Sequence, residues 1–201
     1  LDETLYFTPE DSGKNGYDII WRGENLPTIS GGKKVSGFKK SDKGTNVYET
    51  YAPGFTHVFN IYVNEQKRAR ASSEIRLYPI KFWDDPETRY SDDGLYMKKS
   101  DIGFYENPED IQFYYFDEWV QNYVKVEEIL EDPDNSENVI VRMDKNVWTY
   151  NNPRIDSKWR ELTMPFYIQN AFEVMDTPGE CYYNNDTGML YYIPVEGENM
   201  E

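Results

Sequence analysis

Cysteine and histidine are nearly absent from this 201-residue sequence, which has one of each, Cys181 and His57. A single cysteine excludes an intrachain disulfide. Cys181 lies between apolar positions of a predicted strand, so we expect a buried, unreactive thiol. Because the only imidazole is far from it along the chain, nothing supports a catalytic triad, and no zinc spacing or phosphate-binding glycine loop occurs. We expect no metal ion and no cofactor.

Positive charge is also scarce, with 21 Lys and Arg against 37 Asp and Glu, a net charge of −16. This balance excludes most nucleic-acid-binding surfaces and argues against anionic membranes and polyanionic substrates. Solubility is the simplest interpretation of the acidity. No run approaches the ~18 apolar residues of a membrane span. The chain begins with Leu1 instead of Met, which predicts a processed or excised fragment.

Aromatic residues are abundant, with 18 Tyr, 10 Phe and 5 Trp, and they favour strands. The chain shows no sustained helical period, so we predict an all-β fold. Short strands are predicted at 4–7, 18–22 and 27–30. Such short, closely spaced strands fit a sandwich, a barrel or the coils of a solenoid, and their spacing does not choose among these.

Further strands follow along the chain. Residues 57–63 alternate and can pair with 66–71 across Asn64 and Glu65, which predicts a hairpin. Residues 111–120 form the most aromatic predicted strand, and 139–143 is another. Residues 124–130 suit either a strand or a helical turn, and 81–94 suit a long loop.

A second hairpin is predicted near the C-terminus. The strand that follows Pro178, Gly179 and Glu180 should run antiparallel to residues 190–193, joined by a turn at 184–188 that contains Asn, Asp and Gly. Alternation places Cys181 and Tyr183 on one face and Tyr182 on the other.

Four stretches, in this order, resemble one family. They are residues 5–32, which contain Thr-Pro-Glu-Asp-Ser-Gly; 61–71, which contain Lys-Arg-Ala-Arg-Ala; 93–119, which contain Asn-Pro-Glu-Asp-Ile-Gln-Phe; and 170–194, which contain Pro-Gly-Glu. Together they are similar to the N-terminal region of right-handed parallel β-helix glycoside hydrolases of the α-fucosidase/xylanase class, glycoside hydrolase family 141. The sequence departs from the family in three places: Glu65 replaces the hairpin glycine, Cys181 replaces a tryptophan, and the proline that often follows the Arg-rich segment is missing.

The resemblance implies the start of a right-handed parallel β-helix, formed by residues 1–36 and 166–201, with an inserted β-sandwich or barrel-like domain at 37–165. It also implies the N-terminal, non-catalytic portion of a secreted or cell-surface bacterial enzyme that hydrolyses glycosidic bonds in plant or host glycans. The family's catalytic carboxylates lie on later coils, so no catalytic residue is assigned and this fragment alone should be inactive. An open β-helix end would favour self-association.

Candidate carbohydrate-binding residues are Trp83, Tyr114 and Trp119, because sugar rings stack on aromatic faces. Core packing is the competing interpretation for the aromatic residues of 113–119. The alternative function is a stand-alone glycan-binding or protein-interaction domain that uses the same three residues without catalysis.

Two other motifs leave alternatives open. Arg68 and Arg70 face the same side of a predicted strand, where they could bind a glycan hydroxyl or carboxylate, although an internal ion pair is favoured. The turn from Asp132 to Glu137 has oxygen ligands at short spacing but lacks the glycine and distal glutamate of an EF-hand, so a turn without calcium is favoured.

Overall fold

The structure, a computed structural model, describes residues 5–73, 94–103, 105–116, 121–151 and 167–200. The chain divides into two compact units, Leu1–Ser36 and Gly37–Glu201. Two of the predicted sugar-binding residues, Trp83 and Trp119, lie outside the described residues, as does the predicted loop at 81–94 apart from Gly94.

The described part of the first unit, residues 5–36, contains one short 3-10 turn, Pro9–Asp11, and no strand. At this turn the backbone N–H of Thr8 donates to Asp11 Oδ2 at 2.8 Å. The predicted strands at 18–22 and 27–30 are therefore wrong, because a strand requires a hydrogen-bonded neighbour and these segments have none within the unit. Ile20 and Leu26 are 81% and 97% exposed.

The second unit contains eleven strands in its described residues, and the chain is all-β apart from short helices. The strands are β1 (Lys39–Lys40), β2 (Tyr48–Tyr51), β3 (Ile61–Val63), β4 (Gln66–Arg70), β5 (Gly94–Lys98), β6 (Gln112–Phe116), β7 (Gln121–Glu131), β8 (Asn138–Met143), β9 (Tyr167–Gln169), β10 (Glu180–Asn184) and β11 (Met189–Tyr192). The helices are α1 (Lys99–Ile102), α2 (Lys145–Asn151) and the 3-10 turns Pro108–Asp110 and Phe172–Val174.

A six-stranded sheet has the order β1-β2-β11-β10-β4-β3. The predicted C-terminal hairpin is confirmed, with Cys181 opposite Tyr192 and Tyr182 opposite Tyr191. Strand β10 pairs in parallel with β4, whereas the other pairs of this sheet are antiparallel. Val47, Ala71, Met175, Tyr182, Tyr191 and Ile193 form its apolar core.

A five-stranded antiparallel sheet has the order β5-β8-β7-β6-β9. Residues 124–130, which suited either a strand or a helical turn, belong to the long strand β7. A register shift between Val126 and Glu128 divides this strand, which pairs with β6 before the shift and with β8 across and after it. The core of this sheet includes Phe113, Val141 and, from α2, Trp148.

The predicted hairpin is confirmed for β3 and β4, although residues 57–60 of the predicted first strand form no strand, and its turn uses Asn64 and Glu65 with φ angles of 50° and 63°. These left-handed conformations at both positions are those of a type I′ turn. Glu65 thus adopts the backbone that a glycine would adopt more readily.

A polar junction joins the two sheets at Asp110, Asn170, Tyr182 and Asn185. The hydroxyl of Tyr182 donates to Asp110 Oδ2 at 2.6 Å, and the backbone N–H of Asn185 donates to Asp110 Oδ1 at 3.3 Å. Asn170 Nδ2 donates to the carbonyls of Asp110, at 2.9 Å, and of Tyr183, at 3.4 Å. Asn185 heads a potential N-glycosylation sequence, but its own Nδ2 is bonded to Asp110.

Cys181 is buried, as predicted, and is 1% exposed. Its Sγ donates to the carbonyl of Ala69 at 3.1 Å. Burial raises the pKa of the thiol to about 12.

We expect the folded chain to react with a maleimide or disulfide reagent at pH 8 roughly a hundredfold more slowly than the unfolded chain, because the reactive thiolate is depleted and shielded. The thiol pKa is higher in the folded state, so its contribution to stability is complete below pH 9 and is lost as the pH rises towards 12. Labelling followed by mass spectrometry, with and without urea, measures the reaction rate of Cys181 in the unfolded and the folded chain. Equal rates in both conditions would show that Cys181 is accessible.

Candidate functional site

A row of tyrosines lies on the face of the five-stranded sheet that is turned away from its apolar core. Alternation directs Phe113, Val124 and Ile168 into the core, so their sequence neighbours point to the other face. Tyr114 lies opposite Tyr123 of β7 on one side and Tyr167 of β9 on the other. We call Tyr114, Tyr123 and Tyr167 the tyrosine row.

The rings of the tyrosine row are in contact. Tyr114 and Tyr167 stack with centroids 4.5 Å apart and planes 7° from parallel. Tyr114 and Tyr123 meet edge to face at 4.9 Å. Tyr114 is 3% exposed, whereas the two flanking tyrosines are partly exposed. The predicted sugar-binding residue Tyr114 therefore lies between two rings that are more accessible than its own.

Burial also determines the charge state of these phenols. It raises the pKa of Tyr114 to about 12 and raises the pKa of Tyr167. Both hydroxyls are protonated at neutral pH, so they can donate as well as accept hydrogen bonds.

Arg70, at the end of β4, lies beside this row with 8% of its surface exposed. Its Nη1 donates to Gln112 Oε1 at 2.7 Å, and its Nη2 donates to Gln169 Oε1 at 2.5 Å. The guanidinium carbon is 5.3 Å from the ring centroid of Phe59 and 5.2 Å from that of Tyr123. The guanidinium is thus fixed by two amides and two aromatic rings.

No described carboxylate forms an ion pair with Arg70. Arg68, two residues earlier, does have such a partner, with its Nη2 2.5 Å from Glu198 Oε1. The favoured interpretation, an internal ion pair, is therefore confirmed for Arg68, whereas Arg70 has no such partner among the described residues. Burial lowers the pKa of Arg70, although a guanidinium remains charged at any ordinary pH.

Sequence reasoning identified Tyr114 and Arg70 in this site but missed its other members. These are Phe59, Gln112, Tyr123, Tyr167 and Gln169. Phe113 and Tyr115 pack in the core, which was the competing interpretation for the aromatic strand. Period-2 alternation along β6 and β7 was the available signal, but it does not show which strands are neighbours.

A groove of about 360 Å³ lies elsewhere in the second unit, lined by Arg68, Ser72, Thr177, Gly179, Glu180 and neighbouring residues. The carboxylate of Glu180 accepts backbone N–H groups from Ser72 at 3.3 Å, Asp176 at 3.0 Å and Thr177 at 3.1 Å. Burial raises its pKa, opposed by these bonds. The bonds close the turn that precedes β10, which is a structural role.

The turn from Asp132 to Glu137 bonds to itself. Asp132 Oδ1 accepts the N–H of Asp134 at 2.9 Å, and Asn135 Oδ1 accepts the N–H of Glu137 at 3.0 Å. Among the described residues, no group of His, Cys, Asp and Glu is placed to hold a metal ion. Within the same residues, no helix has the length and apolarity needed to cross a membrane.

Comparison with known proteins places the site in context. The family model "GH141 insertion domain" matches residues 53–195, which include every residue of the site. A solved structure named "Glycoside hydrolase" is similar to the chain with a TM-score of 0.60 and 20% identity, over 85% of this chain and 30% of that one. At that identity the likeness shows the fold, and the chain corresponds to less than a third of the length of that structure. No curated protein matches the sequence.

Proposed function

Because the chain belongs to the GH141 insertion domain family, we propose that it is the non-catalytic, glycan-binding portion of a secreted bacterial enzyme that hydrolyses glycosidic bonds. The family membership makes it a glycoside-hydrolase-related domain. The site that would bind the glycan is the tyrosine row with Arg70, Gln112 and Gln169.

The arrangement of the site supports glycan binding. Tyr123 and Tyr167 are partly exposed rings on one sheet face, and apolar C–H faces of sugars pack on such rings. The amides of Gln112 and Gln169 and the guanidinium of Arg70 supply planar polar groups beside them. Aromatic rings with a few fixed polar groups are also the side chains that line small-molecule pockets.

The chemistry of the site supports a non-catalytic role. Glycosidic cleavage usually requires two carboxylates, about 5–5.5 Å apart for retention or about 6.5–9.5 Å apart for inversion. The described residues that touch Arg70 are two amides and two aromatic rings, none of which is a carboxylate. Most of the similar glycoside hydrolase structure has no counterpart in this chain. The catalytic carboxylates of the parent enzyme can therefore lie in a part that this chain does not include.

We also propose that residues 1–36 and 166–201 form the start of a right-handed parallel β-helix. The exposed end of this β-helix would allow the chain to associate with itself. The exposed apolar residues of the first unit support this part of the proposal, because Tyr6, Ile20, Trp21 and Leu26 are each more than half exposed and the described residues of that unit, 5–36, form no strand. The domain boundaries at 36 and 166 remain predictions.

Glycan binding is tested by screening the chain on a glycan array and measuring the hits by calorimetry. Tyr123→Ala and Tyr167→Ala should each weaken binding roughly 2- to 10-fold, the effect of losing an aromatic contact. Tyr51→Ala is the matched control, because Tyr51 is 66% exposed on β2 and lies in the other sheet. It should leave the affinity unchanged.

Two outcomes would contradict the proposal. If no glycan binds, or if all three variants behave alike, the tyrosine row is not a glycan site. The result would then favour the alternative function, a protein-interaction domain. If the purified chain hydrolyses aryl fucosides, xylosides or xylan, and substitution of one of its own carboxylates abolishes that activity, the domain is catalytic.

A further inference from the structure

We infer that this site prefers glycans that carry a carboxylate, that is, uronic acid residues, over neutral ones, and that Arg70 determines the preference. The inference rests on the proposed function and specifies its ligand class.

The charge of Arg70 favours an anionic ligand. A buried cation is costly unless a counter-charge accompanies it. Elsewhere in the described part of the second unit, Arg68 pairs with Glu198, and Arg142 pairs with Glu127 and Glu128. Arg70 is the most buried of the three, yet the described groups that hydrogen-bond to it, Gln112, Gln169 and Tyr123, are all neutral. A ligand carboxylate would supply the negative charge that the described residues around Arg70 do not.

The geometry of Arg70 also suits a carboxylate ligand. Gln112 and Gln169 face each other in the β6–β9 register, and together they hold the two terminal nitrogens of the guanidinium. The ring of Tyr123 lies over the guanidinium. A guanidinium that is already fixed loses little entropy when it binds a planar carboxylate, and its fork of N–H groups matches that anion.

Access to Arg70 depends on Phe59. This ring covers the guanidinium but is 50% exposed, and it lies in residues 52–60, which form no helix or strand. No backbone ladder fixes it there. Among the described residues, the Phe59 ring is held by side-chain contacts with Tyr123 and His57, and a sugar ring must take its place over the guanidinium to bring its carboxylate to the N–H groups.

The overall charge limits the class of ligand. A net charge of −16 repels a densely charged polymer. At physiological ionic strength this repulsion is screened beyond about 8 Å, so one isolated carboxylate beside Arg70 is affected mainly by its near neighbours. The expected ligand is therefore a glycan with sparse uronic acid branches, not a polyuronate.

The test compares three forms of one oligosaccharide by calorimetry: with a terminal glucuronic or galacturonic acid, with its methyl ester, and with the corresponding neutral hexose. The acid should bind roughly 10- to 100-fold more tightly than the other two, which should be equal. The ester removes the charge without altering the protein, so the result does not depend on any variant folding. Arg70→Lys should lose most of the preference, and Arg68→Lys, on the same strand, should keep it.

The outcomes separate the two proposals. Equal affinity for all three sugars overturns the role of Arg70 and leaves glycan binding intact. Failure of all three to bind, together with no hit on the array, overturns both. A preference that persists in Arg70→Lys, when circular dichroism shows that variant to be folded, assigns the carboxylate to another residue and also overturns the inference.

Discussion

Replacing Asp110 with alanine is expected to lower the free energy of unfolding by about 3 to 5 kcal/mol. Asp110 is 3% exposed, and its carboxylate accepts the hydroxyl of Tyr182 at 2.6 Å, the N–H of Asn185 at 3.3 Å and the amide Nδ2 of Asn185. Removing it leaves these donors in a buried place without an acceptor, each at a cost of about 1–3 kcal/mol. It also removes bonds that join the two sheets.

Urea unfolding followed by circular dichroism measures the loss of stability of Asp110→Ala. Tyr182→Phe removes one of the same bonds and should cost about 1–2 kcal/mol. The double variant should cost less than the sum, because both changes remove the same bond. Asp186→Ala, an exposed acid in the adjoining turn, is the control and should stay within about 0.5 kcal/mol of the wild type. A loss below about 1 kcal/mol for Asp110→Ala would mean that the junction is not rigid.

Gly94→Ala is expected to cost about 3 kcal/mol or more, because an added methyl group has no space. A Cβ on Gly94 would lie 1.9 Å from the carbonyl oxygen of Val141 and 3.0 Å from its carbon. Both atoms belong to the backbone of β8, so a side-chain rotation cannot relieve the clash. The first residues of β5 must leave the sheet instead.

Thermal unfolding and hydrogen exchange measure this loss, and protection should fall at Leu95 and at its partner Val141. Gly31→Ala is the control, since a Cβ there meets nothing within 4 Å. An unchanged melting temperature for Gly94→Ala would show that β5 does not pair as described.

Local chemistry made part of the fold predictable. The hairpin of β10 and β11 followed from alternation on both sides of a turn rich in Asn, Asp and Gly, and the hairpin of β3 and β4 followed in the same way. The segments 18–22 and 27–30 have strand-like composition but no neighbouring strand among residues 5–36, and composition cannot supply one.

The candidate site was predictable only in fragments. Tyr114 and Arg70 each stood out in the sequence, but their contact with Tyr123, Tyr167 and Phe59 depends on pairing between distant segments. The parallel pairing of β4 with β10 brings Arg70 beside Cys181. No local sequence pattern predicts a pairing between segments so far apart in the chain. Arg68 and Arg70 share a face, yet only the fold shows which one has an acid nearby.

The order of strands in the six-stranded sheet has a consequence for how the chain assembles. Strands β1 and β2 form one hairpin and β3 and β4 another, while β10 and β11 enter between them only after the entire five-stranded sheet has been synthesised. Until then, each early hairpin exposes an open edge where the late hairpin will bind, and such edges are where chains pair wrongly. Closing the sheet requires contacts between distant parts of the chain, which makes it a slow step. In the cell, this domain is therefore most vulnerable to aggregation in the interval before residues 180–192 leave the ribosome.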